Sequence, residues 1–111
     1  MSSRRRQIEL VNALGLHLRA AHQFARLAQR FQAEVRVHLD GKSVNGKSIL
    51  EMMTLAAGCG SRLDLEASGF DADEALVALS GLVEARFHED GRTAASEDAM
   101  QRRAETTSLG D

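Results

Sequence analysis

Between Gln7 and Phe31 the spacing of apolar residues changes from two to about 3.6, and that change of period constrains the fold more than any other feature. Gln7-Ile8-Glu9-Leu10 alternates polar and apolar, which predicts a half-buried strand over about 7–11. Ala21, Phe24, Ala25, Ala28 and Phe31 then recur at i, i+3, i+4, i+7 and i+10, one face of a helix predicted over about 18–32. The switch falls in Asn12-Ala13-Leu14-Gly15-Leu16-His17-Leu18-Arg19, where Asn12 and Gly15 are turn residues. His17 and Arg19 therefore stand at a helix mouth, where free backbone N–H groups and the positive dipole end favour an anion. An imidazole with a guanidinium two residues on offers a phosphoryl group a nucleophilic nitrogen, a positive fork and several N–H donors. The same spacing also fits a surface histidine that merely ends a turn. Arg19, Arg26 and Arg30 line the outer face of the helix as a loose basic ridge. Such a ridge either guides an acidic partner or is an ordinary solvated face.

Alternation returns in Glu34–Asp40, with Val35, Val37 and Leu39 inward and Arg36 and His38 outward. Asp40-Gly41 is a hairpin signal, and Lys42–Asn45 returns as a short polar strand. Ser48 and Glu51 have the spacing of a capping box, opening a short helix predicted to reach Ala57 and to end at Gly58. Ile49, Leu50, Met52, Met53 and Leu55 make it apolar nearly all round. Either some of them form an exposed interaction patch or neighbouring loops cover the excess. Arg62–Ser68 is a fourth strand, with Leu63, Leu65 and Ala67 inward. Asp71 and Glu74 read as a second capping box for a helix to about Glu89, whose buried stripe is Leu76, Leu79, Val83 and Phe87, joined by Ala75 and Leu82. Residues 1–6 read as a basic, frayed N-terminal extension. Residues 91–111 are polar and without a clean period, and a flexible tail is expected, with a brief helix conceivable over 99–105. The order strand, helix, strand, strand, helix, strand, helix describes a two-layer α+β domain with helices on one face of the sheet.

Composition narrows the function. Four Phe and no Trp or Tyr give no stacking platform for single-stranded nucleic acid. A net charge of -2 sets up no strong field toward nucleic acid or membrane. Cys59 is the only cysteine, so neither an intramolecular disulfide nor a thiolate metal cluster is expected. No apolar run follows the basic start or approaches membrane-spanning length, which suits a reducing cytoplasm. His22, His38 and His88 show no metal-ligand spacing, and no metal or cofactor is expected.

Gly15-Leu16-His17-Leu18-Arg19-Ala20-Ala21 resembles the phosphorylatable-histidine motif G-L-H-x-R-P-A of HPr, the histidine-containing phosphocarrier family of the bacterial phosphotransferase system. Gly41-Lys42-Ser43-Val44-Asn45-Gly46-Lys47-Ser48-Ile49 resembles the family's second signature, which holds its regulatory serine. Element order and the separation of the two motifs match as well, over residues 7 to about 89. The resemblance implies an open-faced α+β sandwich, a four-stranded antiparallel sheet covered on one face by three helices, as the domain 7–90. It implies that His17 takes a phosphoryl group on Nδ1 from phosphorylated Enzyme I and passes it to a downstream acceptor of the Enzyme IIA type. Arg19 would balance the phosphate charge, Ser48 would be the target of a serine kinase, and Ile49, Leu50, Met53 and Arg26 would meet partners. The protein would then be a monomeric co-substrate rather than a free-standing enzyme. Ala20 stands where the family has a proline that presets φ, which predicts a looser active loop; Leu18 stands where smaller or hydroxyl residues are usual, and Gly46 makes the approach to Ser48 flexible. A second reading on the same fold is a regulatory docking module, of a nitrogen-linked or catabolite-control type, in which phosphorylation at His17 or Ser48 acts only as a switch.

Overall fold

Every alternating stretch pairs as a strand. The computed structural model describes residues 3–88. Strands β1 Ser3–Glu9, β2 Glu34–Leu39, β3 Lys42–Asn45 and β4 Arg62–Ser68 form one sheet in the order β1-β4-β2-β3. All three pairings are antiparallel. Val35, Val37, Leu63, Leu65 and Ala67 are buried on one face. Arg36, His38, Asp64 and Glu66 alternate with them and stand on the other, half-exposed. Asp40 and Gly41, with φ of 50° and 83°, close the β2–β3 hairpin with Leu39 opposite Lys42, the backbone of a two-residue primed turn.

Helices α1 Leu18–Ala28, α2 Ile49–Met53 and α3 Ala72–Glu84 cover the buried face. The apolar stripe of α1 is Ala20, Ala21, Phe24, Ala25 and Ala28. That of α3 is Ala72, Ala75, Leu76, Leu79 and Val83. The small residues on both helices let them lie close to the sheet, and Phe24 and Phe87 fill the space between layers. This is the open-faced α+β sandwich expected from the order of periods.

Several boundaries depart from the expectation, each for a local reason. Residues 3–6 belong to the sheet. Arg4, Arg5 and Arg6 pair with Ala67, Glu66 and Leu65, and Arg5 reaches Asp64 and Glu66 at 3.8 and 3.9 Å while Arg4 reaches Asp73 at 3.3 Å. Opposite charges across neighbouring strands extend the pairing beyond Gln7. Helix α1 ends at Ala28, and Phe31 lies beyond it. The next turn does not form because the N–H groups of Gln32 and Ala33 donate to the Asp71 carboxylate at 2.9 and 2.8 Å. Asp71 is therefore the N-cap residue of α3 by position only, with no side-chain bond to its own helix.

The box at Ser48 is half formed. Ser48 Oγ accepts from the Glu51 N–H at 3.2 Å, but the Glu51 carboxylate reaches the Asn45 N–H at 2.8 Å instead of returning to Ser48. Helix α2 stops at Met53, and Ala56 rather than Gly58 takes the left-handed conformation, φ 51°. Helix α3 stops at Glu84, and Arg86, Phe87 and His88 form a left-handed turn with φ of 59°, 53° and 57° that buries Phe87. The expected tail 91–111, with its possible short helix, lies outside the described residues.

Candidate functional site

The segment before α1 is closed on itself and then fixed to its neighbour. Asn12 Nδ2 donates to the Gly15 carbonyl at 2.7 Å, and the Gly15 N–H donates to the Asn12 carbonyl at 3.1 Å. Gly15 has φ +64°, and a Cβ on it would lie 2.6 Å from the Ala57 carbonyl oxygen and 2.7 Å from Gly58 Cα. Only a residue without Cβ allows that approach. The Leu16 N–H donates to Ala57 O at 2.9 Å, and the Gly60 N–H donates to Leu10 O at 2.7 Å. The loop is thus pinned to the segment that follows α2. Helix α1 starts at Leu18 without a proline, and Ala20 is fully buried in its first turn.

His17 is the N-cap residue of α1. Its backbone is extended (φ -79°, ψ 178°), and its carbonyl accepts from the Ala21 N–H at 2.8 Å. Its half-buried ring makes no capping bond to the helix, and no acidic residue occupies the first turn. Arg19, the second residue of α1, is exposed. The helix mouth therefore brings together an imidazole, a guanidinium and the positive end of the dipole, with no carboxylate in the first turn to neutralise them.

Helix α2 packs against α1. Its entrance is tied down by Gln29 Nε2 to Lys47 O (3.0 Å) and Lys47 Nζ to Phe31 O (2.7 Å), both from the end of α1. Met52 and Leu55 are buried, Ile49 and Ser48 are half-buried, and Leu50 and Met53 face outward with 81% and 36% of their surface exposed. The choice left open by the sequence is resolved by division: part of the apolar surplus is core and part is surface. Arg26 is exposed on α1.

Two further apolar residues near His17 are exposed: Leu14, not singled out from the sequence, and Leu18, noted there only as a departure from the motif. Leu14 and Leu18, 66% and 63% exposed, flank His17 in the chain, while Leu16 between them is buried. Their signal was present: both are apolar residues that belong to neither the strand alternation nor the buried stripe of α1.

The sole resolved pKa shift among the described residues lies on the open face of the sheet, away from the helix layer. The Glu66 carboxyl is held below the ordinary carboxylate range chiefly by its hydrogen bond with His38 Nε2 (2.9 Å), which outweighs the opposing effect of burial with lesser help from Ser3 and Arg5. Among the described residues no group of three His, Cys, Asp or Glu is placed to hold a metal ion, and Cys59 is exposed in its loop. No described helix is long and apolar enough to cross a membrane.

The sequence model of the family described as the PTS HPr component phosphorylation site matches residues 4–85. The chain is 48% identical over 84 residues to phosphocarrier protein HPr of Pseudomonas aeruginosa, covering 75% of this chain and 93% of that protein. It is 40% identical over 89 residues to phosphocarrier protein NPr of Shewanella violacea, covering 80% and 98%. The crystal structure of HPr-C-His from Thermoanaerobacter tengcongensis superposes with a TM-score of 0.75 at 39% identity, over 77% of this chain and 96% of that one. The matched region contains the glycine-locked loop, the histidine at the mouth of α1 and the half-exposed α2, and this chain belongs to the HPr phosphocarrier family of the bacterial phosphotransferase system.

Proposed function

We propose that the protein relays a phosphoryl group through His17. The observation that carries the reading is the placement of an imidazole at the N-cap of α1 by a loop that admits only glycine at position 15. In the first step the lone pair of His17 Nδ1 attacks phosphorus of a phosphorylated Enzyme I, an N–P bond forms, and the bond from phosphorus to the donor breaks. In the second step an acceptor of the Enzyme IIA type attacks the same phosphorus and His17 Nδ1 leaves. No water is activated and no general base for hydrolysis is required. The chain positions the ring and balances the charge spread over the transferring group. Arg19 supplies a fixed cation, and the first-turn N–H groups of α1 supply donors.

Partner docking in this reading uses the outward residues Leu50 and Met53, with Ile49 half-buried beneath them and Leu14 and Leu18 beside the histidine. Arg26 extends the face with positive charge for an acidic partner. Ser48 lies at the rim of this face and is the site at which a serine kinase would modulate docking. The protein acts as a cytoplasmic, monomeric co-substrate.

The test is incubation with Enzyme I and phosphoenolpyruvate, followed by intact mass before and after acid treatment. The expected result is one acid-labile phosphoryl group on the parent and none on His17→Ala. Undiminished labelling of that variant overturns the assignment.

A further inference from the structure

A groove of about 480 Å³ separates α1 from the left-handed turn after α3. His22, Arg26 and Arg30 line it from the α1 side and His88 from the other, with the apolar surfaces of Leu27 and Leu82 between them. His22 and Arg26, four apart on α1, project side by side about 5–6 Å apart, and Arg30 follows in the turn just after the helix. No carboxylate among the described residues lines the groove. The arginines of β1 present the opposite case: Arg4 and Arg5 are each matched by carboxylates of β4 or α3. The far wall is fixed in place. Gln23 Nε2 donates to the Phe87 carbonyl at 3.1 Å, and the Phe87 side chain is anchored in the core. Arg86, Phe87 and His88 all lie in the left-handed region, at a cost of about 1–2 kcal/mol per residue, and this turn brings His88 to the edge of the groove.

We propose that this groove binds a small organic anion with two acidic groups, carboxylate or phosphate, spaced about one helix turn apart on a short carbon skeleton. Arg26 and Arg30 present planar forks that suit oxyanions, and His88 closes on the second acidic group. Leu27 and Leu82 receive the carbon skeleton on the floor of an open groove. The same groove of a second copy does not fit against it, because that would set cations against cations. Arg26 also belongs to the docking face proposed above, so occupancy of the groove and partner docking would oppose each other reciprocally. That consequence rests on the phosphocarrier reading; the binding itself does not.

The experiment is a titration of the isotope-labelled full-length protein, followed by amide chemical shifts, with succinate and 3-phosphoglycerate as probes and acetate and inorganic phosphate as controls. Saturable shifts are expected at Gln23, Leu27, Leu82 and His88 at millimolar probe. Arg30→Ala should weaken binding at least about fivefold, and Arg26→Ala with Arg30→Ala about tenfold or more, a range set by charge-assisted hydrogen bonds. Unfolding curves of the variants should match the parent, since both arginines are exposed. Shifts that do not saturate, that acetate or inorganic phosphate reproduces equally, or that survive loss of both arginines overturn the proposal. Glu89 and Asp90 follow His88 directly. If saturable shifts appear in Glu89→Gln with Asp90→Asn but not in the parent, the chain's own acids occupy the groove and the proposal fails. Because no phosphoryl donor is present, this outcome is independent of labelling at His17.

Discussion

The entrances of α1 and α2 belong to two helices packed against each other, and they treat their first turns in opposite ways. At α2, Ser48 Oγ accepts from the Glu51 N–H and Glu51 brings a negative charge into the turn. The field of that helix end is answered within the chain. At α1, the cap residue is His17, whose ring makes no capping bond, and the first turn holds Arg19 and no acid. Donors without an intrahelical acceptor and a positive dipole end remain available there to an anion brought by a partner. Capping and anion binding draw on the same few N–H groups, so a helix mouth optimised for one is poor at the other.

The comparison can be broken most forcefully through the loop that holds α1 in place. Gly15→Ala puts a Cβ at φ +64° against the backbone of Ala57 and Gly58. We expect a loss of about 3 kcal/mol in denaturant unfolding, together with slowed phosphorylation of His17 in the folded fraction. Parent-like stability would show that the loop is not locked as described.

A smaller effect separates the two caps directly. Ser48→Ala should cost about 1 kcal/mol, the ordinary value of a serine cap. His17→Ala should cost less, within about 0.5 kcal/mol, because no capping bond is removed. Thermal or denaturant melts of the two variants decide this, and equal costs would mean that His17 caps α1 after all.

Ser48→Asp sharpens the contrast without removing a cap, since aspartate caps as well as serine and its charge suits the dipole. Stability should change by no more than about 0.5 kcal/mol. Transfer from Enzyme I should weaken, and the defect should grow as ionic strength falls, because a new negative charge beside an apolar docking face repels an acidic partner. Transfer kinetics at two salt concentrations test this; parent-like rates in low salt would reduce Ser48 to a helix cap.

The smallest effect concerns the open face of the sheet. The Glu66 carboxyl is lowered chiefly by His38, so the stabilisation from this pair is present above the ordinary carboxylate pKa and fades as pH falls through the lowered value. His38→Ala should return the Glu66 titration, followed by carboxyl chemical shift, toward the ordinary range while leaving the helix layer unchanged. An unmoved titration would leave Arg5 and Ser3 as its cause.

Much of this arrangement was legible from periodicity. Val35, Val37, Leu63, Leu65 and Ala67 were placed inward by alternation alone, and Phe24, Leu79 and Val83 by helical spacing. The histidine at the helix mouth was legible because a strand period ends and a helix period begins around it. What remained hidden depended on partners distant in sequence. Asp71 looked like a local cap because local spacing cannot reveal that two N–H groups nearly forty positions earlier lack acceptors. Arg4–Arg6 looked like a loose end because the acids that meet Arg4 and Arg5 lie on α3 and β4. The exposure of Leu14 and Leu18 was hidden because an apolar residue in a turn or at a helix start carries no period that places it inward or outward.

The Asp71 carboxylate also has a bearing on how the chain assembles. The turn before it approaches the start of β2 so closely that a Cβ on Gly69 (φ +144°) would lie 2.7 Å from Ala33 Cα. The connection between α1 and β2 and the turn between β4 and α3 are therefore one knot, tied by two hydrogen bonds from Asp71 and a backbone contact with no room for a side chain. The first half of the chain cannot complete its own α1–β2 link until the second half arrives, so closing this long loop is an obligatory, slow entropic step. While the knot holds, the amides of Gln32 and Ala33 are protected by an acceptor from the other half of the chain, so their exchange reads the link between the two halves.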